Sequence, residues 1–281
     1  MKYGVFIFPT DQSIRPDILA KEAEDRGFES FWVPEHSHIP VSRDTPWGGQ
    51  KDAPPLPEQY WRTHDQFLSL AFAAAATSKI KLGTGITLLA QRDPIWTAKE
   101  VATLDTLSGG RLEFGIGYGW NKEEMAQHGT NYLERRALLR EKVLMMKSLW
   151  TEEEAAHNGE LLTLEPSWAW PKPLQQPHPP IIMGAAAGPR TLADMVEFCD
   201  GWLPNAARHD IGGEVKRVRE AVSNAGRDGN AFTISAFSAK IPMIDGLRDA
   251  GLDRAIFTMP PLGAEVVIPK LDTLVGTLDI G

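Results

Sequence analysis

Three short stretches carry the residue types that chemistry needs. The first is Pro34-Glu35-His36-Ser37-His38, an acid and two imidazoles set directly on the end of the apolar run Phe31-Trp32-Val33. Histidine changes charge near neutral pH, so such a cluster suits proton transfer or metal ligation. His36 and His38 could share a metal, but such a centre needs ligands from other strand ends. The ends at Met183-Gly184 and Met259-Pro260 offer neither His nor Asp, and no metal is assigned. The second stretch is Gly184-Ala185-Ala186-Ala187-Gly188-Pro189-Arg190-Thr191. Small residues let backbone N–H groups approach a ligand, and a helix starting near Pro189 would turn its positive end toward them, with Arg190 and Thr191 as side-chain donors. That describes an anion pocket, or else a small-residue turn with nothing bound.

The third stretch is Gly115-Ile116-Gly117-Tyr118-Gly119-Trp120, followed by Asn121. A dinucleotide fingerprint would need its last glycine at 120, where Trp120 stands, so that reading fails. The alternating glycines point instead to backbone passing close to a flat ligand, with Trp120 as one wall. Thr84-Gly85 falls inside another apolar run and joins the candidates. No Gly-x-Ser-x-Gly elbow exists and Cys199 has no evident partner, which leaves nucleophilic acyl transfer without support.

Such residues act together only if the elements carrying them are parallel and adjacent. Apolar β-forming runs at 3–8, 31–33, 80–89, 112–116, 181–183, 201–203, 232–237 and 254–259 alternate with helical patterns, for example 67–77, 94–107, 133–150 and 189–198. Eight strand–helix pairs in 281 residues predict one α/β domain over 1–281, a (β/α)8 TIM barrel, whose active site lies at the C-terminal ends of the strands. Segments 40–62 and 151–180 break the alternation after strands two and four. The proline density of the second excludes an interior helix or a central strand, and both read as inserted loops.

Composition narrows the partners. Lys and Arg number 29 against 37 Asp and Glu, a net charge of −8 with no basic stripe, which argues against nucleic acid. A single cysteine cannot build a disulfide framework or a thiolate metal site and fits a reducing cytoplasm. No signal-like or membrane-spanning run is evident, so the expectation is a cytoplasmic protein without membrane contact, acting on a small molecule as a homodimer.

Taken in order from Met1 to about Leu203, the residues resemble the bacterial luciferase-like monooxygenase superfamily, and within it the deazaflavin (coenzyme F420)-dependent oxidoreductases. The resemblance rests on Gly27-Phe28-Glu29-Ser30-Phe31-Trp32-Val33-Pro34-Glu35-His36, Leu82-Gly83-Thr84-Gly85-Ile86, Ala98-Lys99-Glu100-Val101-Ala102-Thr103-Leu104-Asp105, Ser108-Gly109-Gly110-Arg111, the 115–120 stretch, Pro171-Lys172-Pro173 and Asp200-Gly201-Trp202. It implies coenzyme F420, with FMN as the alternative, lying across the strand ends. A non-prolyl cis peptide at Gly85-Ile86 would form a bulge against the ring, and the turn after strand five would hold the phosphate. Cofactor-binding candidates are therefore Thr84, Gly85, Ile86, Gly117, Tyr118, Gly184, Ala185, Ala186, Ala187, Gly188, Arg190 and Thr191. His36 would act at the reacting centre and Glu35 would orient or contact the ring, with Trp120, Asn121 and His38 in the substrate pocket. Sugar-phosphate dehydrogenases of that branch carry a catalytic acid where this chain has Trp120, so their substrate does not transfer. Hydride transfer to a small organic substrate leads, oxygen activation on FMN is the alternative, and a non-catalytic flavin-binding barrel is the reading from another class.

Overall fold

Strands form where apolar residues run without polar interruption, and a strand buried on both faces has to sit in a parallel sheet covered by helices. The computed structural model, which describes residues 1–207, 211–278 and 280, has ten strands: β1 (Lys2–Phe6), β2 (Ser30–Val33), β3 (Lys81–Thr84), β4 (Leu112–Ile116), β5 (Ala155–Asn158), β6 (Thr163–Ser167), β7 (Ile181–Met183), β8 (Gly201–Trp202), β9 (Thr233–Phe237) and β10 (Arg254–Thr258). Eight of them close into a parallel barrel in the order β1-β10-β9-β8-β7-β4-β3-β2. The register runs unbroken across the closure, from Lys2↔Arg254 to Phe6↔Thr258. The predicted barrel is the observed one, its strands five to eight being β7 to β10.

The helices are α1 (Pro16–Asp25), α2 (Gln59–Arg62), α3 (Gln66–Ala76), α4 (Pro94–Ser108), α5 (Lys122–Gln127), α6 (Arg135–Thr151), α7 (Pro189–Phe198), α8 (Gly212–Asn224), α9 (Ile244–Asp249) and α10 (Ala264–Thr277). Their starts follow local chemistry. Asp93 accepts the N–H of Trp96 ahead of Pro94, and Asp65 accepts that of Leu68, satisfying donors the first turn leaves open. Among the described residues, no helix is long and apolar enough to cross a membrane.

One expectation needs correction. Segment 151–180 is not only a loop, because β5 and β6 pair as an antiparallel hairpin outside the barrel. Prolines bar a central strand but not an edge strand, so Pro166 is tolerated within β6. The hairpin turn is tied down by Glu141 of α6, whose carboxylate accepts the N–H groups of Glu160, Leu161 and Leu162 at 2.8–3.1 Å. The third barrel strand also ends earlier than its apolar run suggests, at Thr84.

The barrel interior is filled in layers. At the N-terminal end Arg254 bonds both oxygens of Glu113 at 2.7 and 2.8 Å and both of Glu29 at 2.6 and 2.8 Å, while Lys81 adds a bond to Glu113 at 2.8 Å. Burial alone would raise the Glu113 carboxyl, but Arg254 and Lys81 outweigh it and hold it at about 2. Above this layer Phe6, Trp32, Ile182, Leu203 and Ile256 pack as one cluster. Gly83 is required here, since a Cβ would come within 2.1 Å of the Trp32 ring. The charged layer seals the N-terminal end of the barrel, and the aromatic layer becomes the floor of whatever opens at the other end.

Candidate active site

At the C-terminal ends of the strands a cleft opens in two adjoining lobes of about 280 and 310 Å³. Together they fall in the range of small-molecule sites, roughly 300–1,000 Å³. Phe6, Phe8 and Phe237 form the floor, Gly85-Ile86 and Gly184-Ala185 the sides, and Trp120 a wall. Insertion 40–62 contributes Trp47, Gly48 and Tyr60. Its position is fixed by Glu123, which accepts the N–H groups of Asp44 and Thr45 at 3.0 and 3.1 Å, and by ring contacts of Tyr60 with Phe8 and His36, centroids 4.6 and 5.2 Å apart.

His36 is buried at the end of β2, lines the cleft, and pairs through Nδ1 with Glu124 Oε2 at 2.8 Å. Glu124 is fully buried on α5 and also accepts from Gln91 Nε2 at 3.2 Å. An ionised carboxylate only accepts, so Nδ1 carries the hydrogen and Nε2 is the nitrogen left to meet a substrate. The supports are equally local. Asn121 caps α5 by accepting the N–H of Glu124, and buried Lys142 of α6 donates to the carbonyls of Ala90 and Arg92 on either side of Gln91.

Other candidates fall elsewhere. Glu35 reaches the cleft, but one oxygen accepts the N–H of Leu88 at 2.6 Å and the other is ion-paired with Arg92. Burial raises its carboxyl despite Arg92, and both oxygens are occupied. It braces the segment after β3 instead of acting at a reacting centre. Both ring nitrogens of His38 are hydrogen-bonded, to Ser37 and to Gln127, and His38 does not line the cleft. Asn121 is a buried cap rather than a wall. The Tyr118 ring lines the cleft, but its hydroxyl donates to Asp194 of α7, and burial together with that carboxylate pushes the phenol well above its ordinary range.

The glycine-rich stretches divide in the same way. An added Cβ at Gly117 or Gly184 would lie 2.0 or 2.3 Å from Ile86, so both make room for that side chain, and Gly115 makes room for the Thr84 carbonyl. At Gly85 a Cβ would only touch Phe6 at 3.4 Å, so packing does not demand the glycine. The Gly85-Ile86 peptide is cis, and Thr84 is buried with its hydroxyl donating to the Gly115 carbonyl. Of the turn after β7, Gly184, Ala185 and Ala186 face the cleft. Ala187 is buried, Thr191 accepts from Arg136, Gly188 donates its N–H to Ala186, and Arg190 lies exposed in the first turn of α7.

Glu124, Tyr60 and Trp47 are the site residues that no strand-end argument reaches. The spacing Asn121-x-x-Glu124 does mark a helix start. It says nothing of which buried partner the acid meets.

With that geometry in place, the relatives can be compared. The luciferase-like monooxygenase family pattern matches residues 12–242, and the chain belongs to that family, whose F420- or flavin-dependent chemistry makes it an oxidoreductase. It is 40% identical over 279 residues to the uncharacterised protein Rv0953c of Mycobacterium tuberculosis, covering 99% of each chain. It is 28% identical over 231 residues to the F420-dependent hydroxymycolic acid dehydrogenase of the same organism, covering 80% of this chain and 59% of that one. In fold it resembles the monooxygenase RslO1 from Streptomyces bottropensis, with a TM-score of 0.79, 21% identity and coverage of 99% and 98%. It also resembles an F420-dependent secondary alcohol dehydrogenase, with a TM-score of 0.76, 17% identity and coverage of 100% and 99%.

Proposed function

We propose that this chain is a coenzyme F420-dependent oxidoreductase that exchanges hydride with a small organic substrate. The observation that carries the reading is the buried His36–Glu124 pair, 2.8 Å apart, at the wall of an apolar cleft. The cleft fits a flat ring, because Gly85 leaves open a space that packing does not require and Phe8 and Trp120 supply apolar faces. Gly184, Ala185 and Ala186, with Arg190 at the start of α7, would hold a phosphate group. When bound, the deazaflavin supplies a ring carbon that takes or gives a hydride. His36 Nε2 takes the proton from a substrate hydroxyl, or returns it to a carbonyl oxygen, while Glu124 keeps the imidazole in register. Tyr60 and Trp120 close around His36 and exclude water.

The second reading is an FMN-dependent monooxygenase: the Streptomyces neighbour is named a monooxygenase, and another fold neighbour, the oxygenating constituent of 3,6-diketocamphane monooxygenase from Pseudomonas putida, is in complex with FMN. Two assays separate them. Under nitrogen, loss of the visible absorption of F420 in the presence of protein and an alcohol supports hydride transfer; in air, protein-dependent oxygenation of the substrate with reduced FMN, together with no reaction with F420, would support the second.

A further inference from the structure

The loop after β2 meets α5 twice. The first contact is the His36–Glu124 pair, and the second lies one helical turn further on, at the end of α5, where His128 donates its N–H to the Glu124 carbonyl at 3.2 Å. There His38 Nε2 donates to Gln127 Oε1 at 2.5 Å, which leaves His38 Nδ1 with a bare lone pair. The Ser37 hydroxyl donates to that Nδ1 at 2.9 Å and accepts from His128 Nε2 at 2.6 Å. Two imidazole nitrogens from separate elements therefore point at one hydroxyl oxygen, with ring centroids 5.5 Å apart. Ser37 and His128 are exposed and none of the three residues lines the cleft, so the cluster faces solvent on its own. A zinc–imidazole bond is about 2.0–2.1 Å long, so an ion taking the place of the hydroxyl would draw each ring in by roughly 1 Å or less. His128 has only to carry its hydrogen on Nδ1 instead of Nε2, which a neutral imidazole does on either nitrogen. Imidazole ligands suit zinc, copper and nickel, whereas magnesium and calcium take oxygen.

We infer that His38 Nδ1 and His128 Nε2 form a two-histidine site for a divalent transition-metal ion of the zinc class, separate from the cleft, with the Ser37 hydroxyl turned aside and water in the remaining positions. Among the described residues no group of three His, Cys, Asp or Glu side chains forms a metal cage, so the ion is held reversibly and is not built into the fold. Once bound, it fastens the loop that carries His36 to the helix that carries Glu124 from the outside.

Calorimetric titration of the purified chain, free of any histidine tag, with zinc chloride reads the site, with magnesium chloride in parallel. The expected result is one saturable zinc site and no binding of magnesium. His38→Ala and His128→Ala should each weaken zinc at least about tenfold. His36→Ala and His64→Ala, which remove the cleft imidazole and another exposed one, should leave zinc affinity within about twofold. Electron paramagnetic resonance of the parent chain with one equivalent of cupric ion reads the ligands without any variant and should show two coordinated imidazole nitrogens. No saturable zinc binding, magnesium bound as tightly as zinc, zinc affinity unchanged in folded His38→Ala or His128→Ala, loss of the site in His36→Ala or His64→Ala, or fewer than two imidazole nitrogens on copper overturns the inference.

Discussion

Glu124→Gln removes the charge behind His36 while keeping its shape. The carboxylate now accepts from two donors, His36 Nδ1 at 2.8 Å and Gln91 Nε2 at 3.2 Å. An amide has one oxygen and one NH2 group, so one of those donors would face another donor. Gln91 can relieve the conflict by turning its own amide over, because its Oε1 is buried and unpartnered among the described residues. Both hydrogen bonds then survive in neutral form, and the loss is the charge assistance, about 1–1.5 kcal/mol. The ratio of the Nδ1–H to the Nε2–H tautomer of His36 should fall about tenfold, and kcat should fall by a similar factor with KM nearly constant. Glu124→Leu, which removes the acceptor, should cost about 10²-fold or more in kcat. Long-range ¹H–¹⁵N spectra of histidine-labelled protein read the tautomer without substrate, and turnover with F420 reads the rest. Unchanged tautomer populations and kcat within twofold in both variants would refute the positioning of His36 by Glu124.

Three further outcomes follow from the packing. Glu113, held at about 2 against an ordinary carboxylate value near 4.5, contributes stability on the order of 3 kcal/mol that is complete above pH 4.5 and is lost as pH falls toward 2. Urea unfolding between pH 6 and pH 3 should show that slope, and Glu113→Gln should flatten it at a cost of about 3–5 kcal/mol at neutral pH, since Arg254 is left partly unpaired. Gly184→Ala should lower stability by about 1–3 kcal/mol through its clash with Ile86, and Ile86→Ala in the same chain should recover most of that loss in thermal melts. Tyr118→Phe should leave kcat within twofold, because the hydroxyl serves Asp194, while a hundredfold fall would make Tyr118 a proton donor.

The barrel was legible because its strands are written as apolar runs of β-formers, and β4 and β7 appear at the residues where the runs lie. The hairpin β5–β6 was not, because its strands carry Glu165, His157 and Pro166 on a surface with no buried face to impose alternation. In the site, His36 and Trp120 could be found from strand ends alone. Glu35 also reaches the cleft, but its pairing with Arg92, 57 residues away, leaves no local trace in the sequence. Tyr118 and Asn121 follow the same rule, the one spent on Asp194 and the other on capping α5. Glycines at 117 and 184 also make room for Ile86, a contact between three separate strand ends that no spacing encodes, while Gly184 keeps its place in the cleft wall.

The central claim, that the cleft at the strand ends holds a deazaflavin, is tested most directly by titrating the purified chain with F420 while following the coenzyme's fluorescence, with FMN in parallel. The account predicts saturable binding of F420 that is tighter than that of FMN. Arg190→Ala should weaken it, most strongly at low salt, where an exposed charge is least screened. Saturation by neither coenzyme, or tighter binding of FMN, would contradict it.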